Sequence, residues 1–462
     1  VRKLLSILLV LALLEQSRAS LQFSVTTNVM IIGTYDSFDE GQAGNGHWCD
    51  DEAALQLGDP LHMYRARMAS QAGQNNWGFV TNNLPAVALP LAGSMHGTND
   101  VWFWLGVSGN GGFASTANSN WYTTNILLEL QFPITNWTVN GYFTNDWPWT
   151  TNNLHWTVFG DSTYFGDISG NASVYSYSYF ASNAANLRGV PFIDSTLHTS
   201  YETNVYATNV TIAQQQYYTA AVTPPDFSHP SRENFQFIRH LLDYQQLGGK
   251  TNMWSWVQDW NSASVASTAT NGIAVTGISK TSSSYSGTIK ADCLGGPIEI
   301  GDATHTNNNL KAFAMLPSLT NFFGEWIVFS NAPAGSFVWR VDGTPVMTNT
   351  SVNGMLSNNF YHTYCGPWFL QKMAVLDGYR TVRDISTTNA AVYVSQTYQK
   401  NFNSQVGTYW PTNGGTAAYT ASMQSFENVM EAVDAAIFAA AQQTNHTFSV
   451  TLVQPIFAPF HR

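Results

Sequence analysis

The chain has 462 residues, 18 Lys plus Arg against 29 Asp plus Glu, a net charge of −11 and only 10% charged residues. So few cations cannot neutralise a phosphate backbone, which excludes nucleic-acid binding. With 44% hydrophobic and 14% aromatic residues the chain is not disordered, and its length allows one to three domains with a large core.

At the start, Arg2 and Lys3 precede an apolar run from Leu4 to Leu14, followed by Ser17-Arg18-Ala19. A basic start, a short apolar run and a small-x-small ending read as a secretory signal peptide over residues 1–19, cleaved before Ser20. The run is short for a membrane span, and no other stretch reaches about 18 apolar residues. The mature chain is therefore expected to be secreted, extracellular or periplasmic, with no membrane association.

Next, Asn28 to Ile32 reads as a buried strand ending at Gly33. Residues 47–72 carry Leu55, Leu57, Leu61, Met63, Tyr64, Met68 and Ala72, an interrupted helical pattern. A strand follows over 154–159, a helix over 172–187, a strand over 190–194 and an amphipathic helix over 232–247. Alternating strands and helices predict an α/β domain over residues 20–247, a doubly wound parallel sheet in a three-layer sandwich.

After Gly248-Gly249 the texture changes. Residues 248–462 read as a second, β-rich region. It contains a hairpin over 325–347 and ends in the one long helix expected, 425–443. Trp254, Trp256 and Trp260 have the spacing of one helix face; core packing is the expected role, a sugar-stacking platform the alternative. Cys49, Cys293 and Cys365 are the only cysteines, so at most one disulfide can form, and no zinc-type spacing exists. No metal and no cofactor is expected. Asp36, Asp39, Glu40, Asp50, Asp51 and Glu52 form an acidic cluster, read as a solvated loop in preference to a Ca²⁺ site.

Four segments of the first domain combine into a chemistry. Strand 28–32 runs into Gly33-Thr34-Tyr35-Asp36-Ser37, which presents a serine at the carboxyl end of a parallel strand, where open α/β sheets bind ligands. Gly97-Thr98-Asn99-Asp100 offers an amide side chain. Gly189-Val190-Pro191-Phe192-Ile193-Asp194 leads toward Asp226-Phe227-Ser228-His229-Pro230-Ser231. A serine needs a base to attack, and the base needs an orienting carboxylate. Asp226 and His229 supply both from one loop. Asn99 is a suitable oxyanion donor beside the backbone N–H of Ser37.

This set resembles the SGNH (GDSL-like) hydrolase family over roughly residues 26–247. In chain order, the family carries a serine in a Gly-Asp-Ser turn, an oxyanion-hole glycine, a Gly-x-Asn-Asp segment and an Asp-x-x-His. The resemblance implies Ser37, Asp226 and His229 as the catalytic triad. It implies Ser37, Gly73 and Asn99 as the oxyanion hole, with Gly78 the other glycine to consider. The family's glycine before Asp-Ser is Tyr35 here. A second serine, Ser162 in Gly160-Asp161-Ser162, also follows a strand. Little chain separates it from Asp226, and no Gly-x-Asn-Asp lies between, so Ser37 is favoured. The expected function is a secreted serine esterase acting on acyl esters, acetyl among them, of a small molecule or carbohydrate. The alternative is a non-catalytic surface, binding or structural protein, which the Tyr35 departure favours.

Overall fold

The structure is a computed structural model, and it describes residues 28–33, 48–68, 100–106, 154–159, 192–193, 252–262, 268–297, 323–402 and 417–455. These belong to two compact units. The first comprises Val1–Glu52, Leu61–Leu242 and Asp377–Ile437; the second comprises Ala53–Pro60, Asp243–Leu376 and Phe438–Arg462. Residues 377–437 thus belong with the first unit, a grouping that a single boundary at 247/248 does not contain.

In the first unit, β1 (Asn28–Gly33), β2 (Met63–Met68), β3 (Asp100–Gly106), β4 (Leu154–Phe159) and β5 (Phe192–Ile193) form one sheet. Its order is β2-β1-β3-β4-β5 and every pairing is parallel. Strands such as Asp-Val-Trp-Phe-Trp-Leu-Gly are nearly continuous apolar runs, as strands covered on both faces require. The parallel sheet read from the sequence is therefore present.

The segment 47–72 is not one helix. Helix α1 (Trp48–Gly58) ends just before Asp59-Pro60, and the chain then enters β2. Proline cannot continue a helix and disfavours helical backbone in the residue before it. Asp50, Asp51 and Glu52 lie on α1 and are buried, so they are not part of a solvated loop. Asp36, Asp39 and Glu40 lie outside the described residues, as do the expected helices 172–187 and 232–247.

Two long helices occur late in the chain: α2 (Pro367–Phe402) and α3 (Ala417–Ala441). Pro367 opens α2, where its missing N–H costs nothing. Trp368, Lys372, Val375, Tyr379 and Val382 of α2 are all buried, at the spacing of one helical face. The chain does not end in the expected helix 425–443; β14 (His446–Pro455) follows α3.

The second unit is two packed sheets. Strands β6 (Asn252–Asp259), β7 (Thr268–Asn271), β10 (Gly324–Ser330) and β13 (Leu356–Asn359) form one, in the order β13-β10-β6-β7. Strands β8 (Ile273–Lys280), β9 (Ser284–Ala291), β11 (Gly335–Val341) and β12 (Thr344–Thr350) join β14 in the other, in the order β12-β11-β14-β9-β8. The second sheet is antiparallel throughout; in the first, only β6 and β10 pair in parallel. The β-rich second region is thus a β-sandwich.

Its core is aromatic. Trp256 of β6 meets Phe329 of β10 at 5.5 Å, and across the sandwich Phe448 of β14 at 5.4 Å and Tyr285 of β9 at 6.0 Å between ring centroids. Each such pair adds about 0.5–1.5 kcal/mol beyond area burial. Trp254, Trp256 and Trp260 are all buried, which settles their role as packing. The spacing is that of a strand, not a helix: residues 254 and 256 share one face of β6.

The 325–347 hairpin is corrected as well. β10 and β11 lie in different sheets, and the hairpin is β11–β12. Asp342-Gly343 makes its two-residue turn with φ of +50° and +75°, the conformation that Asp-Gly favours. All three cysteines are free thiols, Cys49 and Cys293 buried and Cys365 exposed.

Candidate active site

In an open parallel sheet, ligands bind outside the carboxyl ends of the strands, where the strand order reverses. Here β1 connects toward β2 on one side, and β3 lies on its other side, so the reversal falls between β1 and β3. The register aligns the carboxyl ends. Gly33 pairs with Met68 of β2 and Trp104 of β3, Gly106 with Phe159 of β4, and Phe159 with Ile193 of β5. Glycine ends both strands that flank the reversal, at Gly33 and Gly106.

Ser37, Gly73, Gly78, Asn99, Asp226, His229 and Ser162 lie outside the described residues. What the described strands fix is where the chain enters and leaves the sheet. Ser37 follows Gly33 by four residues, Gly73 follows Met68 by five, and Ser162 follows Phe159 by three. Each thus comes after a carboxyl end. Strand β4 is two positions from β1, roughly 10 Å at the usual strand spacing, and so lies away from the reversal.

The Gly97–Asp100 segment differs. Asp100 is the first residue of β3 and pairs with Val29, near the start of β1. Asn99 is therefore bonded to the amino end of β3. Over seven residues that end is roughly 20 Å from the carboxyl end. Gly106-Val107-Ser108-Gly109-Asn110 is the segment that leaves β3 on the Ser37 side. The apolar run Asp-Val-Trp-Phe-Trp-Leu-Gly is legible in the sequence as this strand.

Among the described residues there is one Asp–His–hydroxyl set, in the second unit. His446 Nδ1 is 2.7 Å from Asp342 Oδ2, and His446 Nε2 is 3.3 Å from Thr444 Oγ1. Asp342 is occupied structurally: Oδ1 also accepts the Thr447 N–H at 2.8 Å and the Thr447 hydroxyl at 3.1 Å. Its backbone N–H donates to Thr447 O at 2.8 Å. These bonds pin the β11–β12 turn to the start of β14. Burial pushes the Asp342 carboxyl up, but its hydrogen bonds from His446 and Thr447 override this and hold it below its ordinary range. A second buried pair, Lys372 Nζ with Glu325 Oε1 at 2.7 Å, sits over the Tyr361 ring and is likewise a packing element. Among the described residues no group of three or more His, Cys, Asp or Glu is arranged to hold a metal ion, and no helix is long and apolar enough to cross a membrane.

No family model matches the sequence, and no curated protein matches it. Solved structures do. The chain is similar to a gut microbial diltiazem-metabolizing enzyme, with a TM-score of 0.63 and 11% identity over 94% of this chain and 100% of that one. At that identity the likeness is one of fold. Matches of lower TM-score, each over 47% of this chain, include a member of the lipolytic protein G-D-S-L family from Veillonella parvula (12% identity, TM-score 0.30, 96% of that chain). They also include the lipase/acylhydrolase from Enterococcus faecalis (13% identity, TM-score 0.30, 95% of that chain). What the chain shares is the fold of the first of these, which spans nearly its whole length.

Proposed function

We propose that this chain is a serine ester hydrolase of the SGNH type, with Ser37 as nucleophile, His229 as base and Asp226 as orienter. The observation that carries this reading is the parallel β2-β1-β3-β4-β5 sheet, whose strand β1 leads into Ser37 at the reversal of strand order. In this mechanism His229 takes the Ser37 proton as its oxygen attacks the ester carbonyl, then returns it to the leaving alcohol. Water repeats the sequence on the acyl-serine. Gly73 follows the carboxyl end of β2 and fits an oxyanion donor beside the Ser37 N–H. For the amide donor, Asn99 carries the motif, but the direction of β3 favours Asn110.

The substrate class is a small acyl ester, acetyl esters among them. The reading draws on the fold-level neighbour, a gut microbial diltiazem-metabolizing enzyme. A carbohydrate ester is the narrower form of the reading, and secretion after removal of residues 1–19 belongs with it. Burial of Trp254, Trp256 and Trp260 leaves the carbohydrate form without a sugar-stacking platform on these residues. The alternative, a non-catalytic secreted binding or structural protein, draws on Tyr35 in place of the family's glycine. Hydrolysis of a short-chain aryl ester by the purified chain, and its loss in Ser37→Ala, tests the two against each other.

A further inference from the structure

Arg67 of β2 is completely buried, and so are the side chains of its two partners, Glu427 and Asp434 of α3. The partners are one α3 face apart, at i and i+7. Every guanidinium hydrogen is used. Nε donates to both Glu427 oxygens at 3.1 Å, and Nη2 donates to Glu427 Oε1 and, at 2.8 Å, to Asp434 Oδ2. Nη1 donates to Asp434 Oδ1 at 3.3 Å and to the Ala66 carbonyl at 2.8 Å. One cation therefore faces two carboxylates in a fully buried space. Fully ionised, the cluster would hold one uncompensated negative charge.

Among the described residues, the further cation whose field reaches the cluster is Arg65, which acts on Asp434. On β2, Arg65 is already engaged with Glu431 of α3 at 3.4 Å, a neutral pair. From α2, the Tyr379 hydroxyl donates to the Tyr64 carbonyl at 2.8 Å. From α1 comes Glu52, buried and acidic, whose field reaches Tyr379. A buried, unbalanced charge is costly, and such groups commonly neutralise by taking up a proton. We propose that the Arg67–Glu427–Asp434 cluster holds one proton on one of its two carboxyl groups at neutral pH, so that α3 grips β2 most tightly in weakly acidic solution and loosens as the pH rises.

The direction of titration agrees. Burial pushes both Glu427 and Asp434 above their ordinary values, against the pull of Arg67. Carboxyls raised in the folded state contribute stability at low pH that is lost as pH rises through the folded value. Which of the two holds the proton is a property of the coupled pair. The inference is independent of the esterase reading.

The test is hydrogen exchange of α3 amides in the full chain between pH 5.5 and 8.5, corrected for intrinsic rates. Wild-type protection should fall with rising pH, by up to about tenfold per pH unit, the slope of one linked proton. Asp434→Asn and Glu427→Gln keep an oxygen acceptor and carry no charge. Each should flatten the slope and be at least as protected as wild type at pH 8.5. Wild-type protection that rises or stays level with pH would overturn the proposal. So would two variants that are less protected than wild type at pH 8.5, or that fail to fold, because both charges would then be needed.

Discussion

Gly33 of β1 lies opposite Trp104 of β3 in parallel register, so the two strands that flank the reversal of strand order run out side by side. From this edge the chain proceeds to Ser37 four residues after Gly33, and to Asn110 four residues after Gly106. The segments that carry Ser37 and Asn110 thus begin at the carboxyl ends of neighbouring strands, as the proposed nucleophile and oxyanion donor require.

The direction of β3 separates two asparagines. Asn110→Ala should lower kcat for an aryl ester by about 10²–10³ with little change in KM, as loss of an oxyanion donor does. Asn99→Ala should leave kcat within a few-fold of wild type. Steady-state kinetics of the two variants decide; the reverse pattern would restore the Gly-Thr-Asn-Asp segment to the site.

The pH profile follows from His229 as base. It must be neutral to accept the Ser37 proton, so kcat/KM should fall tenfold per pH unit on the acid side of its titration. A profile flat to pH 5 would be incompatible with a histidine base.

Trp256 tests the role of the sandwich aromatics. It is fully buried and ringed by Tyr285, Phe329 and Phe448. Trp256→Ala should destabilise the second unit by about 3–5 kcal/mol in denaturant titration. Oligosaccharide binding through this residue should be undetectable by calorimetry, in wild type as in the variant.

The Asp342 clamp gives the opposite acid response from the α3 cluster. Its carboxyl is held below its ordinary range in the fold. A depressed carboxyl contributes stability above the unfolded value of about 3.9, and this is lost as pH falls through the folded value. Asp342→Asn should therefore reduce the acid sensitivity of the second unit below about pH 4, read by circular dichroism. Thr444→Ala should leave ester hydrolysis unchanged, because this Asp–His set holds a turn.

Much of the first unit was legible because its parallel strands are short apolar runs, such as Asn28–Gly33 and Leu154–Phe159, bounded by glycine. β2 was hidden by its two arginines, Arg65 and Arg67, which interrupt any apolar signal; their partners lie some 360 residues away on α3. The α2 stripe from Trp368 to Val382 was present as a periodicity, but a lysine at its centre masked it until Glu325 was seen to neutralise Lys372. Trp256 and Trp260 fit the spacing of a helix face while Trp254 and Trp256 fit that of a strand face, and the pairing of β6 with β10 and β7 decides between them. The partition of β10 and β11 into different sheets is a matter of long-range pairing, and nothing local in residues 325–347 marks it. Of the proposed site, the sequence offers residue types in chain order. That Asn99 precedes β3 instead of following it depends on which side of the motif the strand lies.

The central claim is that the serine after β1, not the one after β4, attacks the ester. Ser37→Ala, Ser162→Ala and the wild type should be compared for release of alcohol from a short-chain aryl ester, with folding of each checked by circular dichroism. The account predicts a loss of about 10³-fold or more in kcat for Ser37→Ala and near wild-type turnover for Ser162→Ala. Full activity in Ser37→Ala, or its loss in Ser162→Ala alone, would contradict it.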